Sequence, residues 1–284
     1  MELLQLKYFH IVAQTEHLSN AAKELMIAQP ALSQTIHRLE NELGYELFDR
    51  QGRGLKLNTA GKILYKYTQQ IFQSIENAKL EINEALSLEN ETISLSICSA
   101  SPLIPSLLEK FSEKIPNIRI KILTNNNNCD LTINSYYSAK NDNDILLIEE
   151  SILVALPKQH PFSSKEYLDI ADLENISFIS LSAGNSLFGI VNHYLDMHNL
   201  HIESNIYVDN PSILRSVLLK NNYATFVPEL TWKSFYENEF VLLQIRSIEM
   251  KRYIYLHIAD NRYISKALHE CQNIIQNEFL KISK

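Results

Sequence analysis

Gln29, Ser33, Gln34, His37 and Arg38 stand on one side of a helical repeat whose other side carries Leu32, Ile36, Leu39 and Leu43. Nothing on the polar side is suited to a core. Gln and Arg present paired hydrogen-bonding groups that match base edges, while Ser, Gln and His can hold phosphates. A merely solvated helix face would be written with the same residues. A second group is Ser99-Ala100-Ser101, placed where a strand should turn into a helix opening at Pro102. A helix N-terminus with free N–H groups can hold a carboxylate; hydroxyls that only cap the helix would look the same. Thr124, Ser182 and Asn210 lie at further expected strand ends. The nine histidines show no HxxxH or HExxH spacing, so no metal site is expected. Cys98, Cys129 and Cys271 form no CxxC pair, which argues against zinc or a disulfide framework.

These groups need elements to carry them. Over residues 1–58, Leu6, Phe9, Val12 and Ala13 predict a first helix, and Ser19 an N-cap for a second with Ala21, Ala22 and Leu25 inward. Pro30 fits the first turn of a third helix, which Gly44 ends. Two helices joined by a tight turn form a helix-turn-helix, and the free polar face of the second is the one that enters a major groove. Residues 46–50 and 54–57 read as two short strands around a Gln51-Gly52-Arg53 tip, a β-wing that puts Arg50 and Arg53 within reach of DNA. From Asn58 to about residue 90, Leu64, Tyr67, Ile71, Ile75, Ala78, Ile82 and Ala85 recur at three and four residues. That seam predicts a long helix that pairs with a second copy, or else an amphipathic helix lying on its own domain.

Residues 91–284 alternate strands and helices. Strands are expected at 93–97, 118–122, 130–134, 145–148, 152–156, 176–181, 204–208, 224–227, 240–245 and 252–259, with helices near 103–111, 187–199, 211–221 and 264–281. The alternation predicts open parallel sheets covered by helices, which bind ligands at the carboxyl ends of strands. Cys98 and Cys129 then fall at opposite ends of their strands, so inert thiols are expected rather than a redox pair.

Net charge is −7, made of +1 over residues 1–66 (eight Lys/Arg, seven Asp/Glu) and −8 over the rest (18 against 26). The asymmetry has the sign of an N-terminal nucleic-acid module, but charge alone would not suggest DNA. No apolar run approaches the ~20 residues of a membrane span. MELLQLKYFH lacks the pattern of a secretory signal, so a cytoplasmic protein is expected, with no membrane partner. GxGxxG, P-loop and GxSxG motifs are absent, which argues against an enzyme. A stand-alone small-molecule binding protein would leave residues 1–58 unexplained.

The ordered set Leu6, Phe9, Val12, Leu18-Ser19, Ala21-Ala22, Leu25, Gln29-Pro30-Ala31-Leu32-Ser33, Ile36, Leu39-Glu40, Leu43-Gly44, Leu47-Phe48, Arg50, Leu57 and Ala60-Gly61 resembles the LysR-type transcriptional regulators. The resemblance implies a mixed α/β chain with an α-rich N-terminal part. A winged helix-turn-helix domain (1–58) would bind double-stranded promoter DNA through Gln29, Pro30, Ser33, Gln34, His37, Arg38, Arg50 and Arg53. A dimerisation helix (59–90) would carry the seam. A periplasmic-binding-protein-like domain (91–284) would hold a small-molecule effector between lobe one (91–157 and 250–284) and lobe two (158–249). Ser99, Ala100, Ser101, Thr124, Ser182 and Asn210 are the expected effector contacts, and a carboxylate the expected chemistry. Dimers of this family usually pair into tetramers; no cofactor is implied. The chain departs from the pattern at four places. Ala28 replaces a capping Ser or Thr, and Asn58 a Thr. Residues 123–130 replace a segment that normally contains a helix. "KNNYATFVP" (220–228) stands where two glycines are usual. A filled or atypical cleft, answering to redox state or to no ligand, is the alternative these departures leave open.

Overall fold

The computed structural model describes residues 1–283 apart from 52–53, 87–90, 124–128 and 141–143, together with all described side chains except those of Arg50 and Gln51. The chain forms two compact units, Met1–Leu86 and Ser87–Lys284.

The first unit contains α1 (Leu3–Thr15), α2 (Leu18–Glu24), α3 (Gln29–Leu43), β1 (Phe48–Gln51), β2 (Gly54–Leu57) and α4 (Thr59–Ala85). Leu6, Phe9, Val12, Ala21, Ala22, Leu32, Ile36 and Leu39 meet in one core. The break between α2 and α3 has a backbone cause. Met26 takes a left-handed φ of 54°, its N–H donates to the Lys23 carbonyl and the Ile27 N–H to the Ala22 carbonyl. That pair of bonds is a Schellman motif, a common helix stop, here built without glycine. α2 starts two residues earlier than expected, after His17, so Ser19 is not its cap. α3 starts after an extended Ala28 with no side-chain cap bond and ends at Gly44, φ 77°. β1 and β2 pair antiparallel from Phe48↔Leu57 to Gln51↔Gly54 and form the wing. Asn58 caps α4 by accepting from the Gly61 N–H at 2.9 Å, while its Nδ2 donates to the Glu46 carbonyl at 2.8 Å. A Cβ on Gly61 would lie 2.0 Å from the Leu47 carbonyl oxygen, so only glycine allows this approach of α4 to the backbone just before β1.

The second unit contains β3 (Thr92–Ile97), a 3-10 turn (Ser101–Leu103), α5 (Ile104–Lys114), β4 (Arg119–Leu123), β5 (Leu131–Tyr136), β6 (Ile145–Pro157), β7 (Tyr167–Leu168), α6 (Ile170–Leu173) and β8 (Phe178–Leu181). It continues with α7 (Ser186–Met197), β9 (Ser204–Val208), α8 (Pro211–Leu218), β10 (Thr225–Pro228), α9 (Lys233–Tyr236), β11 (Phe240–Ile245), β12 (Lys251–Ile258) and α10 (Lys266–Ile282). The main sheet runs β4-β3-β5-β12-β6-β11-β7, with β10 also on β6, and β8 pairs with β9 separately. The expectation of parallel sheets holds for β4-β3-β5 and β8-β9 but not for the middle, where β12, β10 and β11 all meet β6 antiparallel.

The two strands expected at 145–148 and 152–156 are one 13-residue strand. At about 3.3 Å per residue, β6 is long enough to serve two cores. It gives Leu147 and Ile148 to a core shared with Leu131, Ile133, Phe111 and Ile275. It gives Ile152 and Val154 to a second core with Phe178, Leu214 and Trp232. Met250 belongs to the second core and Ile254 to the first. The lobes therefore exchange near residues 150 and 252, several residues before the expected change at 157/158. At that crossing Glu150 and Arg252 are register partners and both are buried. Arg252 Nε donates to Glu150 at 2.8 Å, the Leu230 and Thr231 N–H groups donate to its other oxygen at 2.8 Å each, and Thr231 Oγ1 donates at 2.9 Å. A carboxyl group with this many donors can be buried inside the strand, which is why Glu149-Glu150-Ser151 does not break it.

Candidate DNA-binding surface and effector cleft

Gln29, Pro30, Ser33, Gln34, His37 and Arg38 are all exposed on α3, opposite buried Leu32, Ile36 and Leu39. Ser19 Oγ donates to Gln29 Oε1 at 3.0 Å, which fixes one end of the amide. His37 Nδ1 lies 3.8 Å from Glu40, and Glu40 accepts from the Leu47 N–H at 2.8 Å. A nearby carboxylate makes His37 the least apt phosphate contact of the six. Arg50 stands on β1; its side chain and Arg53 lie outside the described residues.

Along α4, Tyr67 and Ile82 are each 56% exposed, Ile71 is 37% exposed, Ala78 is exposed and Ile75 half-buried. Leu64, expected on the same seam, instead packs against the core of its own unit, and Ile63 is exposed beside it. The stripe is the same, turned by one residue at its start.

Between the lobes of the second unit lies a cavity of about 800 Å³. Of the residues expected to contact an effector, Ser99, Ala100, Ser101 and Asn210 line it; Ser182 does not, and Thr124 lies outside the described residues. Ser182 is half-buried and its backbone N–H is tied to the Val208 carbonyl. The residues reaching the cavity after β8 are Asn185, Ser186 and Leu187, at the start of α7. Ser99 is no free donor. Its hydroxyl is 2.8 Å from both Ser135 and Ser186, and Ser135 Oγ lies 3.1 Å from Ser186, a three-hydroxyl bridge from lobe one to lobe two. Ala100 is left-handed at φ 62°, a conformation seldom adopted without glycine, and Ser101 opens a 3-10 turn instead of the helix itself.

The starts of two helices face the cavity. Asn185 caps α7 by accepting from the Leu187 N–H at 2.9 Å, and Asn210 caps α8 by accepting from the Ser212 N–H at 2.7 Å. Both ends carry partial positive charge. Arg215 and Arg252 also line the cavity, but each is paired, Arg215 with Glu239 and Arg252 with Glu150. Burial lowers the Arg252 pKa and Glu150 opposes that shift. Ser135, Ser186, Arg215 and Arg252 were not expected here. Ser186 opens the helix that follows a strand, so a signal existed; a lone arginine in a strand, Arg252, gave none.

Residues 3–62 match the model of the bacterial regulatory helix-turn-helix protein, LysR family, and residues 91–280 the LysR substrate binding domain. The chain belongs to the LysR family. It is a DNA-binding transcriptional regulator with an effector-binding domain. It is 34% identical over 213 residues to the HTH-type transcriptional regulator YybE of Bacillus subtilis (strain 168), covering 70% of this chain and 73% of that protein. The transcriptional dual regulator GltC of the same organism is 30% identical over 199 residues, covering 65% of this chain and 66% of GltC. Among solved structures, full-length OxyR from Pseudomonas aeruginosa aligns over 100% of this chain and 96% of its own, with TM-score 0.67 and 17% identity. Full-length BenM aligns over 99% and 97%, with TM-score 0.52 and 21% identity. These two speak for the fold of the LysR chain. No helix among the described residues is long and apolar enough to cross a membrane.

Proposed function

We propose that α3 reads promoter DNA with Gln29, Ser33, Gln34 and Arg38, that β1 and the wing add phosphate contacts through Arg50 and Arg53, and that the α4 stripe joins two chains so that two recognition helices engage one operator. The observation that carries this reading is the polar face of α3: six exposed residues, no apolar one among them except Pro30, opposite a buried apolar row. Gln29→Ala is expected to weaken operator binding by ~1–3 kcal/mol while leaving nonspecific binding nearly unchanged. Arg53→Ala is expected to weaken all sequences alike and to lower the salt slope. Gel shifts over a salt series check both; wild-type sequence preference in Gln29→Ala would mean that another face reads the bases.

For the cleft, the reading is a small carboxylate-bearing effector held by N–H groups at the starts of α7 and α8 and by the Ser101 hydroxyl. Support comes from the two helix starts on one cavity and from the pairing of both arginines, which leaves backbone and hydroxyl donors to do the binding. A metabolite acid at one hundred times its dissociation constant is expected to stabilise the protein by ~2.7 kcal/mol, and Ser101→Ala to lose much of that. A thermal-shift screen in which only uncharged compounds act on this cleft would overturn the carboxylate. The redox alternative draws no support from the thiols. Cys98 follows β3, Cys129 precedes β5, the two strands are parallel neighbours, and all three cysteines are free. Burial pushes Cys129 up and Cys271 up to about 12, away from the reactive thiolate.

A further inference from the structure

Leu47 is the residue at which three elements of the first unit meet. It stands between the end of α3 and the start of β1, and it is 2% exposed, in the core with Leu39 and Phe48. Its backbone is held from two sides. The Leu47 N–H donates to Glu40 Oε1, in the last turn of α3, at 2.8 Å. The Leu47 carbonyl accepts from the Asn58 N–H, at the head of α4, at 3.1 Å. α4 lies so close that a Cβ on Gly61 would overlap the same oxygen. Asn58 adds a second tie, from Nδ2 to the Glu46 carbonyl at 2.8 Å. β1 begins at the next residue, Phe48, which pairs with Leu57. A short hydrogen-bonded path therefore runs from the recognition helix through Leu47 to the long helix and the wing.

The apolar core holds these elements together, but burial of apolar surface is non-directional. Hydrogen bonds depend on distance and angle, so they narrow the arrangement that the core allows. Glu40 is the α3 end of the path. Its side chain is 15% exposed, and its second oxygen lies 3.8 Å from His37 Nδ1 on the outer face of the helix. Any rotation of α3 that withdraws Oε1 costs the Leu47 N–H its acceptor at a buried residue, so the native angle is favoured over nearby ones.

We propose that Glu40 is a positioning residue: through the Leu47 backbone it fixes the angle between α3 and α4, and so the distance and rotation between the two recognition helices of a paired protein. This role presupposes α3 as the reading helix and α4 as the joint between two chains. DNA makes the angle matter. One base pair inserted between half-sites shifts them by about 3.4 Å and about a tenth of a turn. Two heads held rigidly cannot follow that shift, whereas heads with a loose joint at Leu47 can.

The test uses the full chain and the duplex it selects from a random library, together with the same duplex carrying one base pair inserted or deleted between half-sites. Wild type is expected to bind the altered duplexes at least ~10-fold more weakly than the selected one. Glu40→Met keeps a helix-forming side chain of similar length and removes the acceptor, and the ratio is expected to fall to ~3-fold or less. Glu40→Asp withdraws the oxygen by one methylene and is expected to act in the same direction. Glu40→Gln keeps an acceptor oxygen and is expected to restore the wild-type ratio. A ratio of two affinities cancels the folded fraction, so a loss of stability alone does not move it. An unchanged ratio in Glu40→Met and Glu40→Asp overturns the positioning role and leaves the reading of α3 and α4 intact. A ratio in Glu40→Gln as low as in Glu40→Met overturns it too, since the acceptor would then not be what matters. A selected duplex without half-sites, or wild type that binds all three duplexes alike, refutes the paired reading itself and the role of Glu40 with it.

Discussion

Replacing Arg252 with methionine is expected to lower the unfolding free energy by ~3–5 kcal/mol. Both partners of the pair are buried, with side-chain exposures of 2% for Arg252 and 0% for Glu150. Without the guanidinium, the Glu150 carboxyl group keeps its hydrogen bonds to Leu230 and Thr231 but loses its charge partner in a medium of low dielectric. Thr231 Oγ1, which accepts from Arg252 at 2.7 Å, loses a donor as well. Set against a typical total of ~5–15 kcal/mol, the change is a large fraction of stability. The double variant Glu150→Met/Arg252→Met is expected to regain most of the loss, because an apolar pair of similar volume avoids the desolvation of both charges. Urea titration of the ligand-free protein checks this. A single-variant cost below ~1 kcal/mol would mean that water reaches the crossing and that the pair is not what fixes the two lobes.

Ile71→Glu/Ile75→Glu is expected to convert the protein to monomers with a folded effector domain. Ile71 is 37% exposed in the single chain and stands in a stripe with Tyr67, Ala78 and Ile82. An exposed apolar stripe along a 27-residue helix is a surface in want of a partner. Glutamates there would be buried without counter-charge in a dimer, at several kcal/mol. Operator affinity should fall by roughly 10²–10⁴, since the second recognition helix no longer binds as part of the same molecule. Sedimentation velocity reads the mass directly; an unchanged dimer would show that the seam is on another face.

How far the sequence could be read depended on the range of the interactions. The polar face of α3, the Gly44 stop, the Asn58 cap and the two wing strands rest on contacts within a few turns, and each was legible from residue spacing. Ser19 failed as a cap because Leu18 already continues the helix; its hydroxyl reaches Gln29 ten residues away. Glu149-Glu150-Ser151 looks like a loop, yet Glu150 is neutralised by Arg252, 102 residues on. Nothing local announces that partner, so β6 appeared as two strands and the lobe boundary was displaced. The same distance explains the sheet. Alternating elements suggested parallel pairing, whereas β12 returns from the far lobe and runs antiparallel between β5 and β6. In the cleft, Ser99 and Asn210 were legible as strand-end residues. The interlobe bonding of Ser99 to Ser186 was not, because it depends on how the lobes meet.

The central proposal is that α3 is a sequence-reading helix in a paired protein. The direct measurement is to select the preferred duplex from a random library with the full chain and then to titrate that duplex against random DNA over a salt series. The expected result is a dyad-related site with half-sites about one helical turn apart, or a multiple of it, bound at least ~10³-fold tighter than random DNA. A folded protein with equal affinity for both duplexes at every salt concentration would contradict the account.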